Sequence, residues 1–168
     1  FERGLCELTG AKFAVAMNSA TSALHAAYIA LGVSQNDEVI TTPITFAATA
    51  NAALMCGARI KFADVLLNGN INPASIKELI SDKTKVITAV DFAGMPVDMD
   101  AIKALIKGQD IKIIDDASHA LGSSINGKMA GTLADATIFS FHAIKPITTF
   151  EGGALLTNNE EIAKSARL

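Results

Sequence analysis

Short apolar segments alternate along the chain with longer segments of helical pattern, and this alternation restricts the fold more than any other feature. The apolar segments predict seven β-strands: FAVAM (13–17), EVIT (38–41), RIKFA (59–63), KVITAV (85–90), IKIID (111–115), ATIFSF (136–141) and GALLT (153–157). The remaining segments predict helices over 20–31, 47–56, 73–81, 98–107 and 159–167. Such alternation indicates an α/β fold with a largely parallel sheet covered on both faces.

The last strand is expected to run in a different direction from the others. Residues 142–152 join ATIFSF to GALLT without a clear helical pattern. A parallel connection needs about a dozen residues or more and usually contains a helix. We therefore predict that GALLT lies antiparallel to its neighbours in the sheet.

Length, charge and cysteine content narrow the class of protein. The chain has 168 residues, enough for one domain with a sizeable core. Its net charge is −3 and it has no basic cluster, so nucleic acids and anionic membranes are poor candidate partners. Cys6 and Cys56 lack metal-site spacing and fit a reducing cytoplasm. The stretches 13–36 and 40–58 lack Asp, Glu, Lys and Arg but contain too many polar residues for a membrane span.

The chain ends and the apolar content predict that further protein surface is missing. The sequence begins at Phe1 and ends in NNEEIAKSARL, which has the pattern of a helix cut part-way. Hydrophobic residues make up 50% of the chain and the mean hydropathy is +0.35, high values for a single domain. An absent domain or second subunit would cover such surface. We interpret residues 1–168 as one domain of a longer protein.

Ligands of open α/β sheets bind beyond the carboxyl ends of the parallel strands, and two segments there suit a cofactor. NSATSAL (18–24) opens a helix, so Thr21 and the first helical amides could hold an anion, or the segment is an ordinary helix cap. In TTPITFAATAN (41–51), Phe46 could cover a flat ring or pack in the core. Neither segment is GxGxxG, so an NAD-type Rossmann site loses its main support.

Two further strand ends carry groups that could react. IIDDASHA (113–120) places two acids after a buried strand, where one could pair with a protonated ring nitrogen or cap a turn. His119 could donate to a phenolic oxygen or have a purely structural role. SFHAIKPI (140–147) offers Ser140 to an anion and Lys145 to an aldehyde carbon. The alternative for Lys145 is a packed stem with its ammonium group in water.

These four signals together predict a pocket for pyridoxal phosphate. In such a pocket the lysine forms a Schiff base with the cofactor, the acid pairs with the pyridinium nitrogen, and the helix start holds the phosphate. Desolvation lowers the pKa of a lysine, which favours its nucleophilic neutral form. A lone lysine in an apolar segment is explained better by this chemistry than by a surface position.

The motifs NSATSAL, ITTPITFAATAN, DDASHALGS and FSFHAIKPITT…EGGALLTN resemble those of the DegT/DnrJ-type sugar-nucleotide aminotransferases, along the whole chain. The resemblance implies the three-layer αβα large domain of a type I pyridoxal phosphate aminotransferase, with a seven-stranded, mostly parallel sheet whose last strand is antiparallel. It also implies that a leading segment and a C-terminal small domain lie outside residues 1–168. The motifs are most similar to those of members that act in pseudaminic acid synthesis.

The resemblance also assigns site residues. Those expected to contact the cofactor are Ala20, Thr21, Phe46, Asp116, His119, Ser140 and Lys145. Lys145 would be the Schiff-base lysine, Asp116 would bind the pyridine nitrogen, and His119 would contact the 3-hydroxyl group. Ser140 and the two residues at the helix start would hold the phosphate, while Phe46 would stack on the ring.

The implied partners follow from the same family. The resemblance implies that L-glutamate donates the amino group to a nucleotide-linked 4-keto-6-deoxy sugar with UDP as the carrier. It also implies that the full-length protein forms a homodimer. No metal is implied. A dehydratase on the same fold commonly replaces the lysine by histidine, so Lys145 argues against it, although His142 is nearby. A non-catalytic binding module is disfavoured by the intact pair of Lys145 and Asp116 but stays open for part of a protein.

Overall fold

The structure, a computed structural model, describes residues 1–168 and is built around a seven-stranded sheet. The chain forms nine strands in all: β1 (Phe13–Met17), β2 (Glu38–Thr41), β3 (Arg59–Phe62), β4 (Thr84–Val90), β5 (Lys112–Asp116), β6 (Ser124–Ile125), β7 (Lys128–Met129), β8 (Ala136–Ser140) and β9 (Gly153–Thr157). The order in the main sheet is β1-β9-β8-β5-β4-β2-β3, and β6 pairs only with β7. All seven predicted strands are present in this sheet.

The direction predicted for the last strand is confirmed. Strand β9 pairs antiparallel with both β1 and β8, whereas every other pair in the main sheet is parallel. The connection from β8 to β9 contains no helix, so the chain can only turn back beside the strand it has left. The carboxyl ends of the parallel strands therefore lie at one edge of the sheet.

The five predicted helices are also present, ending up to two residues short of the predicted limits. They are α2 (Ala20–Ala30), α3 (Ala48–Met55), α4 (Pro73–Leu79), α5 (Met99–Leu105) and α6 (Glu160–Ala166). Side chains cap the N-termini of all of them except α3; for example, Asn72 accepts a hydrogen bond from the Ala74 amide ahead of Pro73. None of the helices combines the length and the apolar character that crossing a bilayer requires.

Alternate residues of each strand pack on opposite faces of the sheet, which gives the three layers. On one face Val86 and Ile114 join a core with helices α2, α3 and α6. On the other face Ile87 and Ile113 join a core with α4 and α5. A third cluster around Phe139 lies under the first helix of the chain. The strands are apolar on both sides because both faces are covered.

Sequence analysis missed a first helix, α1 (Glu2–Thr9), and the small β6–β7 hairpin. Helix α1 is held by partners distant in sequence. The Glu2 carboxylate accepts from the Ala16 amide at 2.8 Å and from both guanidinium nitrogens of Arg167, at 3.1 and 2.7 Å. The stability of so short a helix depends on such distant contacts rather than on the helix propensity of its own residues, so its sequence does not predict it.

The start of α2 lies directly against the start of β9, and a glycine makes this approach possible. A Cβ atom on Gly153 would overlap the carbonyl of Ser19 and the amide of Ala20. Both backbones are fixed, one in the sheet and one in a helix, so neither can move aside cheaply. Gly153 therefore sets the position of the α2 N-terminus relative to the sheet.

We expect Gly153→Ala to destabilise the fold by roughly 2–4 kcal/mol, because the added methyl overpacks two backbone segments. Urea unfolding followed by circular dichroism measures this. Gly4→Ala is the matched control, since a Cβ there meets nothing within 4 Å. The control should stabilise α1 by about 0.5–1 kcal/mol. Equal stability of Gly153→Ala and the unchanged chain would contradict this account of the α2 position.

Candidate active site

A cavity of about 630 Å³ opens at the carboxyl ends of the parallel strands and borders all seven predicted site residues. They reach it from four different strand ends and the segments that follow them. The complete set is Ala20, Thr21, Phe46, Asp116, His119, Ser140 and Lys145. The structure thus brings together side chains up to 125 positions apart in sequence, from Ala20 to Lys145.

One end of the cavity is the N-terminus of α2. The Ser19 hydroxyl caps this helix by accepting from the Ser22 amide at 3.1 Å, so the cap predicted as an alternative is real. The cap leaves the amides of Ala20 and Thr21, the first two of the helix, without a partner inside the helix, and both residues border the cavity. Ser140, at the end of β8, is nearly buried beside them. A helix start with free amides and an added hydroxyl is suited to an anion.

Asp116 lies at the floor of the cavity and is only 5% exposed. Its Oδ2 accepts from the Thr49 hydroxyl at 2.7 Å, and its Oδ1 accepts from the Ser118 hydroxyl at 2.6 Å and the Ser118 amide at 3.3 Å. These donors replace the water that burial removes. Asp115, the preceding acid, belongs to the other face of β5 and does not border the cavity.

Lys145 borders the cavity from a loop between β8 and β9, and its side chain is half-buried. The loop is held at this point by the Lys145 amide, which donates to the His142 carbonyl at 2.9 Å. Burial lowers the pKa of Lys145, while the charge of Asp116 acts in the opposite direction. The amine is therefore easier to deprotonate than that of a lysine in water, as predicted for a nucleophile.

The charges of Lys145 and Asp116 act on the pKa of His119 in opposite directions. Its pKa is lowered by burial and by the positive charge of Lys145, and it is raised by Asp116. The lowering effects dominate, so the imidazole is neutral at pH 7 and has one donor and one acceptor nitrogen. Such a ring can exchange a hydrogen bond with a polar ligand group without adding charge to the site.

Phe46 is not a core residue. Its side chain is 77% exposed and borders the cavity at the turn that leads into α3. Core packing, the alternative considered for this residue, is therefore wrong. An exposed ring beside a cavity offers an apolar face to a ligand.

Several residues that sequence analysis did not select also border the cavity. Phe92 follows β4, and Ser118 follows Asp116 by two residues. Glu151 and His142 come from the lysine loop, with the His142 Nε2 and the Glu151 Oε1 3.7 Å apart. A polar residue two positions after a strand-end acid was a usable signal for Ser118. The position of Phe92 depends on a tertiary contact with Gly69, which no local pattern contains.

Behind the cavity floor lie two further buried acids, Asp91 and Asp115. The Asp91 Oδ1 accepts from the Val97 amide at 2.8 Å, but its Oδ2 and both Asp115 side-chain oxygens lack such donors. Burial is the main cause that raises the pKa of Asp91, to about 7, and it raises the pKa of Asp115 well above its usual range. The negative charge of Asp116 raises the pKa values of both acids further. The pair therefore retains a proton at pH values where exposed acids are ionised.

This pair makes the stability of the fold depend on pH. The folded-state pKa of Asp91 is above its ordinary value of 3.8, so the folded protein binds more protons than the unfolded chain between pH 4 and 7. Stability is consequently lost as the pH rises through that window, and the loss is complete above the folded-state pKa. The proton that Asp91 and Asp115 retain is the origin of the effect.

We expect Asp91→Asn to reduce this loss, because asparagine keeps an acceptor for the Val97 amide but binds no titrating proton. The stability of the variant relative to the unchanged chain should rise by roughly 1–3 kcal/mol between pH 4.5 and 7.5, at about 1.4 kcal/mol per pKa unit. Urea unfolding at both pH values measures it. Asp82→Asn, at an exposed site, is the control. Parallel pH profiles for all three chains would contradict the prediction.

The sheet is mostly parallel, and its strand ends bring a lysine, a buried acid and a helix start suited to an anion to one cavity. This arrangement is typical of α/β proteins that bind a ligand at the strand ends. Comparison with known families agrees with this class. The family model described as DegT/DnrJ/EryC1/StrS aminotransferase family matches residues 1–168. The chain belongs to that family, which confirms the resemblance seen in its motifs.

Individual relatives cover the whole chain but are longer. A UDP-4-amino-4,6-dideoxy-N-acetyl-beta-L-altrosamine transaminase of Campylobacter jejuni is 53% identical over 171 residues, which are 100% of this chain and 45% of the relative. The structure of Helicobacter pylori PseC, an aminotransferase involved in the biosynthesis of pseudoaminic acid, matches with a TM-score of 0.96 at 44% identity, over 99% of this chain and 46% of that one.

A third match is the Streptococcus pneumoniae sugar aminotransferase Spr1654 in its PLP-form. Its TM-score is 0.94 at 32% identity, over 99% of this chain and 48% of that chain. The chain thus spans about half the length of the proteins that it matches. The fold predicted from the sequence, the α/β domain of such aminotransferases, is confirmed by these neighbours.

Proposed function

We propose that residues 1–168 form the cofactor-binding domain of an aminotransferase that uses pyridoxal phosphate. The full-length protein would move an amino group from L-glutamate to a nucleotide-linked 4-keto-6-deoxy sugar, with UDP as the carrier, in pseudaminic acid synthesis. One observation carries the proposal: a half-buried lysine, a buried carboxylate and a helix N-terminus border one cavity. The names of the relatives support the substrate class.

The residues present fit this cofactor. The α2 N-terminus with Ser140 suits a phosphate group, and Gly153 lacks the Cβ atom that would force α2 away from the sheet. The donors to Asp116 leave its carboxylate able to accept a further hydrogen bond from a ring nitrogen. A cavity of about 630 Å³ is within the range of small-molecule sites.

When bound, pyridoxal phosphate supplies an aldehyde carbon that exchanges an amino group and a pyridinium ring that withdraws electrons from it. Lys145 would hold this group through its Nζ and would later move a proton at the reacting carbon. Asp116 would hold the proton on the ring nitrogen, and His119 would hydrogen-bond the phenolic oxygen. Phe46 would cover one face of the ring and exclude water from it.

The rim of the cavity supports a homodimer of the full-length protein. Phe46 and Ile144 border the cavity and expose 77% and 82% of their area, and Phe150, in the same loop as Lys145, exposes 84%. This is an unusual density of apolar side chains for a solvated surface. A second copy would cover these side chains and close the cavity. The same contact would add residues from the partner to the site, as is common where an oligomer interface adjoins a ligand cavity.

Covalent labelling tests the role of Lys145. We expect that pyridoxal phosphate added to the protein gives visible absorbance, and that borohydride then fixes the label on the peptide that contains Lys145. Lys145→Ala should abolish the label, because no other amine borders the cavity. Lys107→Ala, at an exposed lysine, is the matched control and should label normally. Mass spectrometry reads the site; a label that stays in Lys145→Ala would reject the assignment.

A second measurement separates binding from chemistry. In the full-length enzyme, Asp116→Asn should still be labelled at Lys145, but its half-reaction with glutamate should slow by about 100-fold or more, about 2.7 kcal/mol of barrier. The reason is that a neutral amide no longer holds the proton on the ring nitrogen. Asp82→Asn should react at the normal rate. Stopped-flow absorbance measures the step, and an unchanged rate in Asp116→Asn would exclude the pyridinium role.

The rival dehydratase function is tested by the same experiment. A dehydratase on this scaffold would have to act without a covalent lysine, so labelling of Lys145 excludes it. The alternative of a non-catalytic binding module would show binding of the sugar nucleotide without any reaction of bound cofactor with glutamate. Assay of the full-length protein with glutamate and a panel of UDP- and dTDP-linked 4-keto sugars identifies the acceptor.

A further inference from the structure

A chain of two threonine hydroxyls ends on the carboxylate of Asp116. The Thr49 hydroxyl donates to the Asp116 Oδ2 at 2.7 Å, and the Thr45 Oγ1 lies 2.7 Å from the Thr49 Oγ1. A hydroxyl carries one proton, and Thr49 gives its proton to the carboxylate. The hydrogen bond between the threonines therefore has Thr45 as donor. The direction of the chain is fixed from Thr45 through Thr49 to Asp116.

Counting acceptor positions shows which Asp116 oxygen is open. A carboxylate has about four lone-pair positions, two on each oxygen. Oδ1 already accepts from the Ser118 hydroxyl and the Ser118 amide. Oδ2 accepts only from Thr49. The remaining acceptor position therefore belongs to Oδ2, the oxygen whose orientation the Thr49 hydroxyl controls.

Thr49 is itself held from behind by a second group of buried residues. Its carbonyl accepts from the Tyr28 hydroxyl at 2.9 Å, and that hydroxyl lies 2.7 Å from the Thr88 Oγ1. Tyr28 gives its proton to Thr49, so Thr88 is the donor to Tyr28. Tyr28, Thr49 and Thr88 are all fully buried. The Thr49 hydroxyl cannot turn away to water, because it lies in a packed and fully bonded interior.

We propose that Thr49 is a positioning residue for Asp116, an inference that rests on the proposed function. Its hydroxyl fixes the orientation of Oδ2, so that the open acceptor position of this oxygen would be available to the ring nitrogen of a bound cofactor. A carboxylate held in this orientation would keep the proton on the ring nitrogen, where it is needed. Thr45, which borders the cavity next to Phe46, strengthens the bond by donating to Thr49.

The test uses the full-length holoenzyme with pyridoxal phosphate labelled with ¹⁵N in the ring. Thr49→Val keeps the shape of the side chain but loses the hydroxyl, and Thr49→Ser keeps the hydroxyl. Thr41→Val is the matched control, because Thr41 is equally buried and donates to the Thr88 carbonyl without contacting Asp116. The ¹⁵N chemical shift reports protonation of the ring nitrogen, and stopped-flow absorbance reports the half-reaction with glutamate.

We expect the ring-nitrogen signal of Thr49→Val to move toward the unprotonated position and its half-reaction to slow by roughly tenfold, the loss typical of one hydrogen bond to a charged group. Thr49→Ser should restore both values, and Thr41→Val should change neither. Thr49→Ala provides a second hydroxyl-free side chain if the valine variant does not fold.

Three results would overturn the inference: an unchanged signal in the hydroxyl-free variants, a serine variant as defective as valine, or an equal shift in Thr41→Val. Each of these leaves the proposed function intact, because the unchanged enzyme still binds the cofactor and reacts. Failure of the unchanged full-length protein to bind pyridoxal phosphate would instead overturn the proposed function and this inference together. Cofactor binding by the full-length protein without substitutions therefore distinguishes failure of the Thr49 role from failure of the proposed function.

Discussion

A buried carboxylate at the end of β5 is the constraint around which the rest of the structure is arranged. Asp116 is almost sealed from water, so its charge depends on hydroxyl and amide donors from Thr49 and Ser118. Those donors come from α3 and from the turn after β5. Both must therefore approach the same strand end, which fixes where the cavity can form. The neighbouring Asp115 lacks donors, and burial raises its pKa.

The architecture was predictable because the signals for it are local and repeated. The central strands are apolar on both sides, and four of the five predicted helices have a side-chain cap, such as Asn72 before Pro73. The direction of β9 followed from the short connection before it. Helix α1 was missed because Arg167, near the other end of the chain, holds Glu2 in place. Contacts between distant segments have no periodicity from which they could be inferred.

The groups that can bind or react were also recognisable, since strand ends in α/β sheets are where ligands bind and Lys145 and Asp116 are unusual there. Their chemical roles stay predictions until the labelling and the half-reaction are measured. The residues that support them were less accessible to sequence reasoning. Thr49 lies in a segment of threonines and alanines without a distinctive pattern. Only the hydrogen bond of 2.7 Å from its hydroxyl to the Asp116 Oδ2 distinguishes it. Phe92 reaches the cavity only because Gly69 leaves it room.

The pairing of Ser140 with Gly153 has a consequence for how such a chain can evolve. The Phe141 amide also donates to the Gly152 carbonyl, so residues 142–151 form a loop that leaves and rejoins the sheet at one position. The strand pairing does not depend on the length of this loop. An insertion or deletion in this loop can therefore move Lys145 relative to Asp116 while every paired strand keeps its register. Descendants of this kind would keep the sheet and lose the arrangement of the cavity, so the scaffold would be open to recruitment for recognition alone.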